Sequence, residues 1–318
     1  MLSRIADCLF WMARYMDRAE NCARLLDVTY HMLLEQTQQM YELRWDAVIK
    51  ITGGQTLFHE KFEEASVDSV CDFLLFRPDN PDSVVSCISY VRENARAIRD
   101  RMSREMWENV NGLYHRVREM QQNGEARTAL DAFCREIISG SHAFNGITDS
   151  TLPHDEGWHF LQAGRALERA EHTSRVVDVE YHQLFTTSGP ISYAGYQQWM
   201  AVLKSVAAYE IYRRVYHSAI EPRNIAELLI LHPEHPRSVR FNIGWLQNSL
   251  RRISGSGPHR YANEAERLTG KLHDALVYDR IDDIFASGLH EFLADVTHNC
   301  RAIGEDIART YFYYAGVA

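Results

Sequence analysis

Apolar residues recur at steps of three and four along nearly the whole chain, and no stretch alternates apolar and polar residues between hairpin turns. The pattern predicts helices near 3–28, 30–50, 66–76, 82–98, 103–121, 126–148, 157–184, 196–218, 222–231, 237–253, 260–279 and 288–315. Stop signals divide them at Gly53-Gly54, Pro78 to Pro81, Gly124, Pro153, Gly189-Pro190, Pro233 to Pro236 and Gly255 to Pro258. The expected class is all-α, a helical bundle.

Comparing the chain with itself adds a second layer. Arg14-Tyr-Met-Asp17-Arg18-Ala19-Glu20, followed by Arg24-x-x-Asp27-Val28, recurs as Arg165-Ala-Leu-Glu168-Arg169-Ala170-Glu171, followed by Arg175-x-x-Asp178-Val179, at an offset of 151. Trp45-x-Ala47-Val48-x-Lys50 recurs at Trp199 with an offset of 154. Pro78-Asp79-x-Pro81-x-Ser83-Val84 recurs as Pro233-Glu234-x-Pro236-x-Ser238-Val239 at 155, and Ser141-His142 matches Thr297-His298 at 156. The matches keep their order and the offset drifts by only a few residues, as short loop insertions would cause. The expectation is two homologous halves, about 1–150 and 151–318, facing each other across a pseudo-twofold axis. Because repeat units often cannot bury their apolar faces alone and no linker separates the halves, a single domain over 1–318 is expected.

The repeated helix carries the candidate chemistry. On a helical wheel Arg14, Asp17, Arg18 and Asn21 fall in one stripe, with Tyr15, Ala19, Cys22 and Leu26 opposite; Arg165, Glu168, Arg169 and His172 form the same stripe in the second copy. Each stripe sets two arginines at i and i+4, which repel unless an anion lies between them. Asp17 or Glu168 answers one arginine from its own helix; the other needs an acid from elsewhere in the fold, or a ligand. Glu20–Arg24 and Glu171–Arg175 are acid-before-base i,i+4 pairs that require no function. Two readings stay open: bidentate arginine–carboxylate cross-links, or a cleft that holds a carboxylate or phosphate.

The proline segments read as corners that start helices, with Ser83 and Ser238 as caps. The second corner differs by Arg237, His232 and His235, and Arg237 at a helix start would suit an anion. Glu156-x-x-His159 and Glu168 with His172 have spacings seen in helical metal sites. At the repeat offset, however, His159 and His172 correspond to Cys8 and Asn21, so no metal is expected.

Composition narrows the partners. Hydrophobic residues make up 46% and charged residues 24% of the 318, ordinary for a folded protein, and the net charge is −9. No dense Lys/Arg tract occurs, so neither nucleic acid nor a membrane is an expected partner. Arg4, Asp7 and Arg14 interrupt the apolar start, and no apolar run is long enough for a span. Six cysteines without a CxxC pair read as reduced core thiols of a cytoplasmic protein. There is no GxSxG, Walker loop, GxGxxG or HExxH, so no nucleotide site of its own is expected.

The opening segment, Met1-Leu-Ser-Arg-Ile-Ala-Asp-Cys-Leu-Phe-Trp-Met-Ala-Arg14-Tyr-Met-Asp17-Arg18-Ala19-Glu20-Asn21-Cys-Ala-Arg24, resembles that of the bacterial alpha-E proteins, named for their helical fold and Glu-Arg motif. Gly164 to Glu171 and Pro236-Arg237-Ser238-Val239-Arg240-Phe241 carry the same resemblance, which spans essentially the whole chain. In the first copy Asp17-Arg18 replaces Glu-Arg, which keeps the charge and shortens its reach by one methylene. The resemblance implies association with a circularly permuted ATP-grasp protein, often near transglutaminase-like or proteasome-like partners, and a part in ATP-dependent amide bond formation on peptides. ATP and Mg would then come through the partner. An acidic peptide or amino acid is the expected substrate, with Arg14, Asp17, Arg18, Asn21, Arg165, Glu168, Arg169, His172 and Arg237 as binding residues. Alternatives are a stand-alone amidohydrolase or transferase using Glu168 and His172 as catalytic groups, and a structural scaffold without ligand; assembly into a homo-oligomer is left open.

Overall fold

A computed structural model describes residues 1–33, 38–123, 129–185, 193–217, 219–257 and 260–313. Among them the chain is all-helical, with fifteen α-helices and no strand. In chain order these are α1 Ser3–Leu33, α2 Gln38–Thr52, α3 Gln55–His59, α4 Val67–Cys71, α5 Val84–Ala97, α6 Arg104–Gln122, α7 Leu130–Thr151 and α8 Glu156–Phe185. Then follow α9 Tyr193–Ser205, α10 Tyr209–Tyr216, α11 Pro222–Leu231, α12 Val239–Ser254, α13 Glu264–Tyr278, α14 Ile281–Ser287 and α15 Leu289–Ile307. Single π-helical turns follow α4 at Asp72–Phe76 and α15 at Ala308–Phe312.

The segment expected as one helix over 196–218 is two, α9 and α10. Ala207, with φ at 51°, turns the chain between them without a glycine or proline to announce the break. The short helices α3 and α14 were not expected from periodicity; each is under two turns and too brief to show it. The stops at Gly124, Gly189-Pro190 and Pro258 lie outside the described residues.

Two compact units contain the described chain. One comprises Met1–Arg14, Leu152–Asp178 and Glu221–Ala318, the other Tyr15–Thr151 and Val179–Ile220. The first unit packs α11, α12, α13, α14 and α15 against one another. There Phe312 of the π-turn lies 5.4 Å from Phe10 and 6.0 Å from Phe160, ring centre to ring centre. The second packs α5, α6 and α7 together, with Phe58 edge-on to Phe73 at 5.3 Å under the short helices. Within the first unit α8 meets the start of α1 at very close range: a Cβ added at Gly164 would lie 2.3 Å from the Phe10 carbonyl oxygen. Only glycine admits that approach. No described helix is long and apolar enough to cross a membrane.

Candidate functional site

The Arg–acid–Arg stripe of α1 does not face open solvent. Arg14, Asp17, Glu20 and Asn21 are buried, as are Ala13, Met16, Ala19 and Cys22 around them. A buried guanidinium needs carboxylates close by, and Arg14 has two from α8. Its Nε donates to Glu168 Oε2 at 2.7 Å and its Nη2 to Glu171 Oε2 at 3.0 Å. The guanidinium also lies 5.1 Å from the Trp11 ring centre. Glu171 draws in further cations, Arg301 at 3.6 Å and Arg175 of its own helix at 3.9 Å. Gly304 of α15 packs beside this network, where a Cβ would lie 3.3 Å from Leu167 Cδ2 and 3.5 Å from Arg14 Nη1. Cys300 lies beside this network, and burial pushes its thiol well up, with the Glu171 charge adding to the effect.

Further along α1, in the other unit, Arg18 donates to Asp82 and stacks over Tyr15. Arg24 Nε donates to Glu20 Oε1 at 2.8 Å, the i,i+4 contact expected from spacing. Its Nη2 donates to His142 Nε2 at 2.8 Å, and Ser141 Oγ donates to Glu20 Oε2 at 2.7 Å. The Ser141-His142 pair therefore serves as part of an ion-pair network. A second buried pair in this unit, Arg44 to Glu180, is bidentate at 2.5 and 2.9 Å.

The second copy of the stripe sits differently. On α8, Glu168 and His172 are buried, whereas Arg165 and Arg169 are half-buried. Arg165 donates to the buried Gln162, whose Oε1 also accepts from Trp245 Nε1 at 3.3 Å. Trp245 of α12 is 38% exposed and stacks on Phe241, giving this face an aromatic edge in contact with solvent. One turn beyond Arg169, Thr173 Oγ1 donates to the Arg237 carbonyl at 2.8 Å, which ties α8 to the second proline corner.

The two corners share a backbone scheme. Ser83 N donates to Asn80 O, and Ser238 N to His235 O. Both serines cap the following helix, Ser83 accepting from Ser86 N at 3.2 Å and Ser238 from Phe241 N at 3.1 Å. Such caps contribute on the order of 1 kcal/mol each. The side chains inside the scheme differ. In the first corner Asn80 donates to Phe73 O at 2.9 Å and accepts from Asp82 N at 3.0 Å, while Asp82 takes Arg18. In the second, Arg237 stands at the place of Asp82 and is 6% exposed. His235 stands at the place of Asn80, 2% exposed, and neither of its ring nitrogens has a hydrogen-bond partner. Burial holds the His235 imidazole down at about 4, with the His232 and Arg237 charges adding to the effect.

Of the residues expected from sequence, Arg14, Glu168 and Arg237 thus fall in one unit with Arg165, Arg169 and His172, while Asp17, Arg18 and Asn21 belong to the other. Glu168 is occupied by Arg14. Glu156 takes the chain's N-terminal amine at 2.9 Å, and His159 is shifted down by burial, with Arg252 adding. Asp82, Gln162, Thr173, Trp245 and Arg301 were not singled out by sequence reasoning. Asp82 could have been, because it lies inside the repeated corner motif and is the position where the two copies exchange an acid for a base.

An acid–Arg pattern that occurs on two helices, set in an all-helical fold and tied to capped proline corners, defines a helical Glu-Arg domain. The chain belongs to the Alpha-E family, described as an alpha-helical domain with a conserved ER motif, which matches residues 1–312. It is also similar to uncharacterised proteins of Mycobacterium bovis and Mycobacterium tuberculosis, each 27% identical over 326 aligned positions covering 96% of this chain. The chain spans only 36% of the length of those relatives. No solved structure matches it.

Proposed function

We propose that this chain is the non-ATPase, anion-recognising component of an ATP-grasp-linked system that makes or modifies peptides through amide bonds in the bacterial cytoplasm. The carrying observation is the exchange of charge between the corners. Arg237 replaces the acid of the first corner, and its carbonyl accepts from Thr173 of α8, the helix on which Arg165 and Arg169 are half-buried and Arg165 shares Gln162 with Trp245. Guanidinium groups such as those of Arg165 and Arg169 suit a carboxylate-bearing ligand, such as an acidic peptide, better than a neutral one. The ATP-grasp connection comes from the family resemblance, with a circularly permuted ATP-grasp partner supplying ATP and Mg. The mycobacterial relatives extend well past the matched segment, consistent with a domain that works beside others. We read the chain as two homologous halves; the shared hydrogen-bond scheme of the corners supports that reading. The six free cysteines, five of them buried, support a reducing compartment.

For the first copy a structural role is enough. Its Arg14 is buried among carboxylates, the arrangement expected of a scaffold contact. The test is binding of a short oligoglutamate peptide, read by fluorescence anisotropy. Arg165→Ala and Arg169→Ala are each expected to weaken binding by about tenfold, the loss of one charge-assisted hydrogen bond, with little change in Tm. If both variants bind like the parent and lose only thermal stability, the ligand reading falls and the scaffold reading replaces it.

A further inference from the structure

On α12 the residues at 241, 245, 248 and 252 fall in one stripe, opposite the buried Val239, Ile243, Leu246 and Leu250. Phe241 in that stripe is half-buried, and Trp245, Asn248 and Arg252 are exposed. Trp245 is the largest of the exposed apolar side chains described in its unit, and it is nevertheless held in place. Its indole Nε1 donates to Gln162 Oε1 at 3.3 Å, and its ring stacks on Phe241 with centres 5.8 Å apart and planes at 17°. Gln162 is buried, so the oxygen that fixes the indole is itself fixed. The same oxygen accepts from Arg165 Nη2. One buried amide oxygen therefore sets an aromatic ring and a guanidinium side by side, within two hydrogen-bond lengths of each other. The equivalent place on α5, 155 residues earlier, is Tyr90, which is 39% exposed. Its ring lies 5.0 Å from that of Tyr15 on α1, and Arg18 lies over Tyr15 at 5.8 Å. On α8 the place of Tyr15 is taken by Ala166, which has no ring to offer Trp245. Each capped corner thus leads to an aromatic beside an arginine of the charged stripe, but only Tyr90 is matched by a ring from the helix it packs on.

We propose that Trp245 is a stacking platform for the ligand, where α12 touches α8 at Gln162, and that the peptide recognised there carries an aromatic side chain beside its carboxylates. The indole has one polar atom and Gln162 takes it, so what the exposed ring offers is a flat π surface. A cationic group suits such a surface but is repelled here by Arg165. An aliphatic chain gains burial alone, whereas an aromatic ring adds an offset-stacked or edge-on contact. Charge complementarity fixes what lies next to that ring. Arg165 is held at the same oxygen as the indole, and Arg252 is exposed two turns along the same side of α12. Carboxylates flanking the aromatic residue would meet both positive charges. The inference rests on the reading of this chain as a binder of acidic peptides, and it names the side chain that such a peptide carries.

The experiment uses the full chain and two dye-labelled peptides of equal charge, tetraglutamate with a glycine at its centre and the same peptide with phenylalanine there. Fluorescence anisotropy gives both affinities. The phenylalanine peptide is expected to bind about fivefold tighter, the gain of one aromatic pair. Trp245→Ala should erase that difference and leave the glycine peptide's affinity within about twofold of the parent's. Trp245→Phe, which keeps a ring and loses the bond to Gln162, should restore most of the difference. Equal affinity of the parent for the two peptides overturns the proposal. So does a difference that survives Trp245→Ala, since the ring would then sit elsewhere, and so does a leucine peptide that binds as tightly as the phenylalanine one. Glycine-peptide binding that needs Arg165 and Arg169, with no gain from phenylalanine, overturns the platform alone and leaves the proposed function standing. A gain that needs Trp245 while neither arginine matters does the reverse. Failure of both peptides to bind overturns both.

Discussion

The corners at Pro78–Val84 and Pro233–Val239 run through the same backbone turn, end in the same serine cap and start helices of similar length, yet they treat charge in opposite ways. The first is closed: Asn80 is bonded at both ends and Asp82 holds an arginine of α1. The second carries a buried imidazole that the turn does not use and a buried arginine where the acid would be. A fold that needed only the turn would not require that difference, because Asn80 and Asp82 show that the turn closes without it. Comparing them separates what the architecture demands, the cap and the turn, from what varies between the two corners.

The largest test concerns the partner helix of the second copy. Arg14 is the counter-charge of Glu168 and Glu171, all three nearly fully buried. Arg14→Ala removes the nearest cation from two buried carboxylates, with Arg301 and Arg175 still 3.6 and 3.9 Å from Glu171, and the expected loss is about 3 kcal/mol, the lower end for removing one member of a buried pair. Urea unfolding at neutral pH measures it. A loss below about 1 kcal/mol would mean that the pair behaves like a solvent-screened one, and the contrast between a built-in ion pair and a ligand-binding stripe would lose its basis.

Next comes acid sensitivity, which isolates the second corner. In the folded protein His235 titrates at about 4, below its ordinary 6.5, so the native state binds fewer protons than the unfolded chain between those values. Its neutral form is therefore compatible with full stability above pH 6.5, and stability falls as pH drops through the window toward 4. The linked loss reaches about 3 kcal/mol at the acid end. Both neighbouring groups act in the same direction: Arg237 stays charged, and His232 gains charge as pH falls. Urea midpoints of the parent and His235→Asn across this range should converge in slope outside it and diverge inside it. Parallel profiles would show that the ring titrates alike in the folded and unfolded chains, so that burial does not hold it neutral.

Much of this arrangement could be read from residue order, and the parts that could not share a cause. The caps at Ser83 and Ser238 were legible because a serine before an apolar run, just after a proline, has one local use. Glu20–Arg24 was legible because both residues lie on one helix. The acids that answer Arg14 were not, since a helical wheel sees only its own helix and Glu168 is 154 residues away. Arg18 finds Asp82 at a separation of 64 residues. The break after Ser205 was hidden because a left-handed alanine, Ala207, makes it without a breaker residue. His235 was visible as a difference between the two corners; that its nitrogens lack partners, while His232 Nδ1 accepts from Glu234 N and His235 N, no spacing reveals.

The smallest expected effect closes the comparison from the other side. Asp82 is 44% exposed and its partner Arg18 23%, so water screens their attraction even though the contact is short. Asp82→Ala should cost less than about 1 kcal/mol, the range of partly exposed pairs, and the effect should shrink in high salt. Arg18 would retain its place over Tyr15, which holds the side chain without the acid. Urea midpoints at low and high salt give the number. A loss above about 2 kcal/mol, independent of salt, would make Asp82 a true structural anchor. The corner at Arg237 would then have to hold its turn without the anchor that the first corner uses. A loss as small as expected means that the capped turn does not depend on the acid, so the same turn accommodates Asp82 in one corner and Arg237 in the other.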